Sequence, residues 1–278
     1  MEDKTSTVIQ AQDADDMLYE ERDGVAYIIF NRPHAMNAGS PRMRLLFPEF
    51  VARAEASKDV GCVVLTGAGR AFSAGADVKR LADPNEQSAV ADTLLEGTES
   101  LRAHQRSTVL RLHQMPKPTI SSINGYAFGA GLSFAMSCDI RYAARSARLS
   151  AGFGRIGVTG DTGLIWFLTR TIGRSATLEW LYTSEVISAD EAARRGVVNA
   201  VFDDDVFSGR VHEIAMKIAS GSTRTNAGMK ANVELALQTE LSTSLYQEAL
   251  SIHCDLLSED HKEAVAALIE GRAPRFKR

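Results

Sequence analysis

The sequence has few cysteines, few aromatic residues and no long apolar run. Its three cysteines among 278 residues, Cys62, Cys138 and Cys254, lie far apart and are odd in number. A disulfide framework and a C-x-x-C metal site are therefore not expected. No stretch approaches the roughly 20 apolar residues that a membrane-spanning helix requires. These absences predict a cytoplasmic protein with unpaired thiols, no membrane association and no metal site.

An excess of positive charge is also missing. The net charge is −4 and the isoelectric point is about 5.9, which argues against a nucleic-acid-binding surface. Residues 1–16 are polar and acidic without the apolar segment of a signal peptide, so we expect a flexible N-terminus. Hydrophobic residues make up 45% of the chain, which is typical of a globular protein with a sizeable core.

Apolar strands alternate with helical patterns over the first two hundred residues. The β-branched and aromatic runs at 24–31, 60–67 and 118–125 predict buried strands, and the spacings at 40–57 and 130–140 predict helices. A polar helical stretch covers 88–114. The pattern therefore predicts an α/β core over 17–200 and a helical section over 201–278.

Two loops crowded with small residues follow predicted strands: "FSAGAD" at 72–77 and "AFGAGLSFA" at 127–135. Helix N-termini carry unpaired N–H groups, and two such groups converging on one point would stabilise an oxygen that gains negative charge. Two other interpretations remain. A dinucleotide fingerprint is disfavoured because Phe134 occupies its third glycine position. The glycines could also serve only the close packing of strand and helix.

The stretch "GRIGVTGDTG" at 154–163 places one acid, Asp161, among four glycines. Such a loop suits a place where backbone must pass close to another group. Asp161 is either the N-cap of a helix beginning at Thr162 or a functional carboxylate. The following Trp166 and Phe167 are predicted to lie in the core.

Four motifs together resemble the crotonase family, the enoyl-CoA hydratase/isomerase superfamily of acyl-CoA enzymes. They are "NRPHAMNA" (31–38), "AFSAGADVKRL" (71–81), the stretch 116–149 that contains "NGYAFGAGL", and the tail 258–278. The resemblance covers the chain from about residue 18 to the C-terminus. It implies a spiral of ββα turns and a helical C-terminal section that mediates homotrimers or hexamers.

The resemblance also implies a substrate and the residues that hold it. The substrate would be a coenzyme A thioester, with no further cofactor, and its carbonyl oxygen would accept hydrogen bonds from the amides of Ala76 and Ala130. Further substrate contacts are implied or predicted at small and polar positions around these loops: Ala35, Asn37, Ala74, Asp77, Val78, Lys79, Gly129, Ser133 and Phe153.

The chain departs from the hydratases of this family at both of their glutamates. Ser133 stands where they have the first and Phe153 where they have the second, and neither side chain can activate water as a general base. At the position of Asp161 those hydratases have glycine, whereas isomerases resembling this chain have a carboxylate. One carboxylate suffices for an allylic proton shift, so the sequence favours an isomerase with Asp161 as the acid and base.

Three alternatives stay open at this point. The chain could be a dehalogenase-like or hydrolytic enzyme with Asp161 as nucleophile, an ordinary hydratase, or a non-catalytic acyl-CoA-binding protein. The dehalogenases resembling this chain take a histidine base from the helical stretch 88–114, but Arg106 aligns with it. The roles of His104 and His113, the acyl group and the choice between trimer and hexamer are therefore undetermined.

Overall fold

The computed structural model describes residues 15–82 and 93–276. The predicted flexible N-terminus therefore lies almost entirely outside the described residues. The strands, in chain order, are β1 Met17–Arg22, β2 Val25–Phe30, β3 Cys62–Gly67, β4 Ala71–Ser73, β5 Thr119–Ile123, β6 Tyr126–Phe128, β7 Ile140–Ala144, β8 Arg148–Ser150, β9 Ile187–Ser188 and β10 Ala200–Phe202.

The helices connect these strands and then form the C-terminal part of the chain. They are α1 Pro41–Ala56, α2 Val78–Leu81, α3 Leu94–Gln105, α4 Arg111–Gln114, α5 Ala130–Met136, α6 Leu164–Thr183, α7 Ala189–Arg194, α8 Asp204–Ala219, α9 Thr223–Ala236, α10 Leu241–Leu256 and α11 Glu259–Glu270. A π-helical turn at Arg106–Leu110 joins α3 to α4. Short 3₁₀ turns lie at Pro33–Ala35 and Phe153–Ile156. Within the described ranges, no helix is both long and apolar enough to cross a bilayer.

Successive strand pairs distribute themselves between two sheets. The larger sheet has the order β1-β2-β3-β5-β7-β10 and the smaller has β4-β6-β8-β9. In the pairs β3–β4, β5–β6 and β7–β8, the first strand joins the larger sheet and the second joins the smaller. Helices follow each of the three pairs, which produces the repeated ββα turns of the expected spiral. The α/β fold class is thereby confirmed.

Both faces of β2 in the larger sheet lie against apolar cores, because side chains alternate along the strand and each face is covered. On β2, Ala26, Ile28 and Phe30 point into the main core between the sheets. Val25 and Tyr27 point the other way, into a second core against α8. This two-sided burial explains why β2 is apolar throughout, as is usual for parallel sheets.

Glycines allow the smaller sheet and α5 to meet at backbone distance. A Cβ atom added to Gly131 would lie 2.2 Å from the Ser73 carbonyl oxygen. A Cβ added to Gly75 would lie 2.6 Å from the Phe128 carbonyl oxygen, and Gly75 has a positive φ of 81°. The two small-residue loops are therefore packed directly on each other, as the close-packing interpretation of their glycines requires.

The predicted long elements match the structure, with differences at their ends. The strands predicted at 24–31, 60–67 and 118–125 and the helix predicted at 40–57 are confirmed. The helix predicted at 130–140 is too long, since α5 ends at Met136 and Ile140 begins β7. Phe167 is buried as predicted, but the prediction for Trp166 is wrong because 39% of its surface is exposed. The proposed boundary between residues 200 and 201 stays a prediction.

We expect Gly131→Ala to destabilise the protein by about 1–3 kcal/mol, the usual cost of overpacking, because the new methyl group would meet fixed backbone. Gly209→Ala is the matched control, since a Cβ there meets nothing within 4 Å. Because glycine destabilises a helix interior relative to alanine, Gly209→Ala in α8 should raise the free energy of unfolding by about 0.5–1 kcal/mol. Urea denaturation of both variants measures the difference. Equal stability of Gly131→Ala and the wild type would contradict this account of the contact.

Candidate active site

The loop after β4 and the start of α5 lie side by side because β4 and β6 are neighbouring parallel strands. Ala76 belongs to the first loop and Ala130 is the first residue of α5. A Cβ added to Gly75 would lie 3.0 Å from the Ala130 nitrogen. The structure therefore brings the two predicted amides to the same place.

Hydrogen bonds to neighbouring carbonyls set the direction of each amide. The Gly75 carbonyl accepts a hydrogen bond from the Gly39 N–H at 2.7 Å. The Gly129 carbonyl accepts from the Ser133 N–H at 3.0 Å. In a trans peptide the C=O and N–H groups point in opposite directions, so the Ala76 and Ala130 N–H groups point away from these partners. Neither amide has an acceptor among residues 15–82 and 93–276.

Both alanines line a cavity of about 360 Å³. Its apolar wall comes from β2, α1 and α5 and consists of Phe30, Met43, Phe47 and Phe134. The ionisable side chains lining it, among the described residues, are Arg44, Arg80, His104 and Asp161. Two unpaired amides, one carboxylate and an apolar wall therefore face the same space.

Asp161 lies in the glycine loop before α6. The Gln105 side chain of α3 donates to its backbone carbonyl, and the Thr162 hydroxyl is 3.2 Å from its carboxylate. Asp161 is exposed, yet nearby protein displaces part of the water around its carboxyl group and raises the pKa of that group. The Thr162 hydrogen bond opposes that rise.

The alternative role of Asp161 as a helix cap is wrong. Helix α6 begins at Leu164, and its N-cap is Gly163, with a φ of 82° and no side-chain hydrogen bond to the helix. A left-handed glycine at this point lets the chain turn into the helix two residues after Asp161. The carboxylate is thereby left to the cavity.

His104 is a cavity residue that alignment with relatives did not single out. It lies on α3 beside Leu101, which lines the same cavity. Burial lowers the pKa of His104, and the positive charge of Arg44 lowers it further, so the imidazole is neutral near pH 7. The helical spacing of Leu101, His104 and the buried Thr108 is the sequence signal that places His104 on the inner face.

His113 and Arg106 lie elsewhere, in a second cavity beyond the Asp161 loop. His113 Nε2 is 3.2 Å from Glu234 of α9. The helical stretch therefore contributes side chains to two cavities. His104 lines the first, and Arg106 and His113 line the second.

The turn at 33–37 is stabilised by Asn37. This side chain is fully buried, accepts the Arg32 N–H and donates to the carbonyls of Ala68 and Ala71. Its polar atoms are engaged within the fold. Contact of Ala35 and Asn37 with coenzyme A stays a prediction. Because the Asn37 side chain is engaged within the fold, only its backbone could make this contact.

The predicted coenzyme A stretch continues on the surface. Ala74 is half-buried, and Asp77 lies 3.4 Å from Arg32. Val78 and Lys79 are exposed on α2, which suits a ligand lying along the outside of the protein. Their substrate contacts also stay predictions.

Gly129, Ser133 and Phe153 are not among the described residues that line the amide cavity. Ser133 is fully buried, and its hydroxyl donates to the Gly129 carbonyl at 3.1 Å. Phe153 is buried against Gly129 and Gly160. Ser133 and Phe153, at the two positions predicted to carry glutamate in the hydratases, are therefore packed inside the protein. Their substrate contacts stay predictions.

Comparison with known proteins identifies the family. The family model "Enoyl-CoA hydratase/isomerase" matches residues 20–278. The chain belongs to this family. The enoyl-CoA hydratase structure from Bacillus anthracis superposes with a TM-score of 0.85 at 29% identity, covering 94% of this chain and 99% of that chain.

Relatives within the family are named for different reactions. "Probable enoyl-CoA hydratase echA8" of Mycobacterium bovis is 31% identical, covering 94% of this chain and 97% of its own. 4-Chlorobenzoyl coenzyme A dehalogenase-2 of Arthrobacter sp is 32% identical, covering 84% and 83%. 1,2-Epoxyphenylacetyl-CoA isomerase of Escherichia coli (strain K12) is 31% identical, covering 91% and 95%. The family is shown, whereas its reaction in this chain must be argued from the site.

The raised pKa of Asp161 predicts a pH-dependent effect of Asp161→Asn on stability. A carboxyl pKa that folding raises contributes stability below its unfolded value of 3.8 and loses it as pH rises through the folded value. At pH 7 the ionised group therefore opposes folding, and we expect a higher Tm for the variant.

The difference in Tm should shrink as pH falls towards 3.8. Asp190→Asn serves as a control, since that exposed carboxylate pairs with Arg145 on the surface and should matter little. Thermal unfolding across this pH range measures both. A lower Tm for Asp161→Asn at pH 7 would show that the ionised group is stabilised by its surroundings instead.

Proposed function

We propose that this protein is an acyl-CoA isomerase that moves a double bond by proton transfer through Asp161. The observation that carries the proposal is the cavity itself. Asp161 is the only carboxylate among the described residues that line it, and it shares the space with the Ala76 and Ala130 amides.

The two amides would hold the thioester carbonyl oxygen. Asp161 would remove a proton from the α carbon of a β,γ-unsaturated thioester or from the γ carbon of an α,β-unsaturated one, and the electrons of the broken C–H bond would be delocalised onto the carbonyl oxygen as a dienolate. Hydrogen bonds from the amides would stabilise the oxygen's charge, and each such donor typically contributes about 2.7–4 kcal/mol. Return of the proton to the other end of the allylic system completes the double-bond shift.

The surroundings of Asp161 suit this role. A carboxyl pKa above its ordinary value brings the group closer to working pH and makes its carboxylate a stronger base. The side chains of Phe30, Phe47 and Phe134 form an apolar wall of the same cavity, which the acyl group would contact. No second base is needed, since one carboxylate can both take and return the proton.

Ordinary hydration has less support, although several relatives are named hydratases. Ser133 and Phe153 are packed away from the cavity, so the two-glutamate arrangement is missing. The isomerase named among the relatives shows that the family contains isomerase chemistry.

Replacing Asp161 by Asn should lower turnover of a double-bond shift by about 10²–10⁴-fold, the usual contribution of positioned acid–base catalysis. Binding of acyl-CoA should change little because the shape is kept. The measurement screens enoyl-, dienoyl- and aromatic acyl-CoAs in deuterated water and follows deuterium entry into the product. Glu49→Gln, at an exposed carboxylate on α1, is the control.

Undiminished turnover in Asp161→Asn would remove Asp161 from the reaction. Acyl-CoA binding by the wild type without deuterium entry for any of these substrates would instead favour the non-catalytic binding protein.

Ala130→Pro tests the amide directly. Proline is tolerated at the first helical position, which Ala130 occupies, but it removes the N–H. We expect turnover to fall by about 10²–10³-fold. Ala130→Gly keeps the N–H and should retain most activity. If folded Ala130→Pro, checked by circular dichroism, turned over normally, the thioester oxygen would have to bind elsewhere.

A second candidate is a substitution in which the Asp161 carboxylate attacks a halogen-bearing carbon of the acyl group, forms an ester bond to that carbon and releases the halide. The neutral His104 in the same cavity favours it, since this imidazole could take a proton from water that hydrolyses the resulting ester. Mass spectrometry after rapid quench with 4-chlorobenzoyl-CoA decides between the two. An adduct on Asp161 would support this candidate, and its absence together with deuterium entry into an enoyl product would support the isomerase.

Localisation in the cytoplasm and assembly into a homotrimer or hexamer stay predictions. Large apolar side chains exposed on the C-terminal helices, including Leu241, Leu245, Leu268 and Ile269, support assembly, since neighbouring copies could cover them.

A further inference from the structure

A second cavity, of about 540 Å³, lies beyond the Asp161 loop from the paired amides. Its wall is formed by α3, the π-helical turn, α4, the start of α6, and α9. The residues that line it include Gln105, Arg106, His113, Thr162, Trp166 and Phe167. None of the reactions considered above assigns this space a role.

The second cavity adjoins the amide cavity. Thr162 lines both. A third space shares Asp161 and Leu101 with the amide cavity. It shares Gln105, Gly163 and Trp166 with the second cavity. The backbone from residue 161 to 163 spans two peptide units, at most about 7 Å. The three spaces therefore adjoin one another around the Asp161 loop, within the length of an acyl group.

The wall next to the loop is aromatic. Trp166 and Phe167 meet edge to face with ring centroids 5.1 Å apart, and the His113 ring lies 5.2 Å from Trp166 and 5.4 Å from Phe167. Trp166 remains 39% exposed, although a ring of this size is usually covered. The Arg170 guanidinium lies over the Trp166 ring, 3.9 Å from its centroid, so a further ring or apolar chain can contact the surface of the wall that remains exposed.

One cation in this cavity has no acceptor among the described residues. Arg106 makes no hydrogen bond or ion pair there, whereas Arg102 on the same helix pairs with Glu99 at 2.5 Å. Glu234, the carboxylate of the wall, is 3.2 Å from His113. The Arg106 guanidinium is therefore available to an anion, and its planar donors suit a carboxylate.

The helix changes form at this residue. Arg106 begins the π-helical turn that ends at Leu110, and Val109 and Leu110 of the same turn also line the cavity. Such turns are rare and frequently occur at functional sites. The π-helical turn is therefore a second observation, independent of charge, that points to a functional site at Arg106.

We propose that the second cavity binds the distal end of the acyl group and selects one with an apolar or aromatic body that ends in a carboxylate. Trp166 and Phe167 contact the body, and Arg106 binds the carboxylate. The inference rests on the proposed function, because it assumes that the thioester carbonyl lies at Ala76 and Ala130.

The test compares the binding of 4-carboxyphenylacetyl-CoA and 4-methylphenylacetyl-CoA to the full-length protein by isothermal titration calorimetry. The wild type should bind the carboxylate-bearing thioester more tightly, by about tenfold or more, since hydrogen bonds to charged groups are among the stronger ones. Arg106→Gln should remove this preference by weakening only the first ligand. Arg106→Lys should retain part of it.

Arg174→Gln removes an exposed arginine of α6 that lies outside these cavities and should leave both affinities unchanged. Equal affinities for the two thioesters in the wild type, or a preference that survives Arg106→Gln, would overturn the inference. The chemistry is tested separately by Asp161→Asn. Normal turnover in Asp161→Asn together with an Arg106-dependent preference would refute the isomerase and keep the acyl site. Reduced turnover in Asp161→Asn without such a preference would keep the isomerase and refute the acyl site.

Discussion

The close approach of two backbone segments, at Gly75 and Gly131, is the constraint on which the candidate active site depends. Each glycine stands where a Cβ would collide with the other segment's backbone. The contact places the loop after β4 against the start of α5, and carbonyl hydrogen bonds at Gly75 and Gly129 then direct both following amides. The donors are backbone groups, so their positions depend on the fold rather than on side-chain rotamers.

The pKa values of two ionisable side chains in the cavity are shifted in opposite directions. Burial raises the pKa of Asp161 and lowers that of His104, because removal of water disfavours the charged form of each group. A stronger base and a neutral imidazole therefore face the same apolar wall. This environment suits proton transfer at carbon. Ser133 and Phe153, at the glutamate positions of the hydratases, are buried and contribute no charge to it.

Sequence patterns predicted the long elements and the amide loops better than the short elements. β2 was predictable because both of its faces are buried and it is apolar throughout. β1 was missed because it is an edge strand whose second half is charged and exposed. β4, β6 and β8 have three residues each, which is too short for a period of two to be recognised.

The candidate site shows the same division. Small residues after strands indicated Ala76 and Ala130, and an acid among glycines indicated Asp161. The start of α6 was misplaced because Gly163, not Asp161, takes the capping position. His104 and Arg106 could not be assigned to different cavities from the sequence, since their surroundings come from α1, α6 and α9, which are distant in the chain.

A crystal structure of the protein with a saturated acyl-CoA tests the central claim most directly. The account predicts the thioester oxygen about 2.7–3.1 Å from the amide nitrogens of both Ala76 and Ala130, the spacing expected of oxyanion donors. It also predicts the Asp161 carboxylate next to the carbons adjoining the carbonyl. A thioester oxygen bound away from either amide, or carbons next to the carbonyl that lie out of reach of the Asp161 carboxylate, would contradict it.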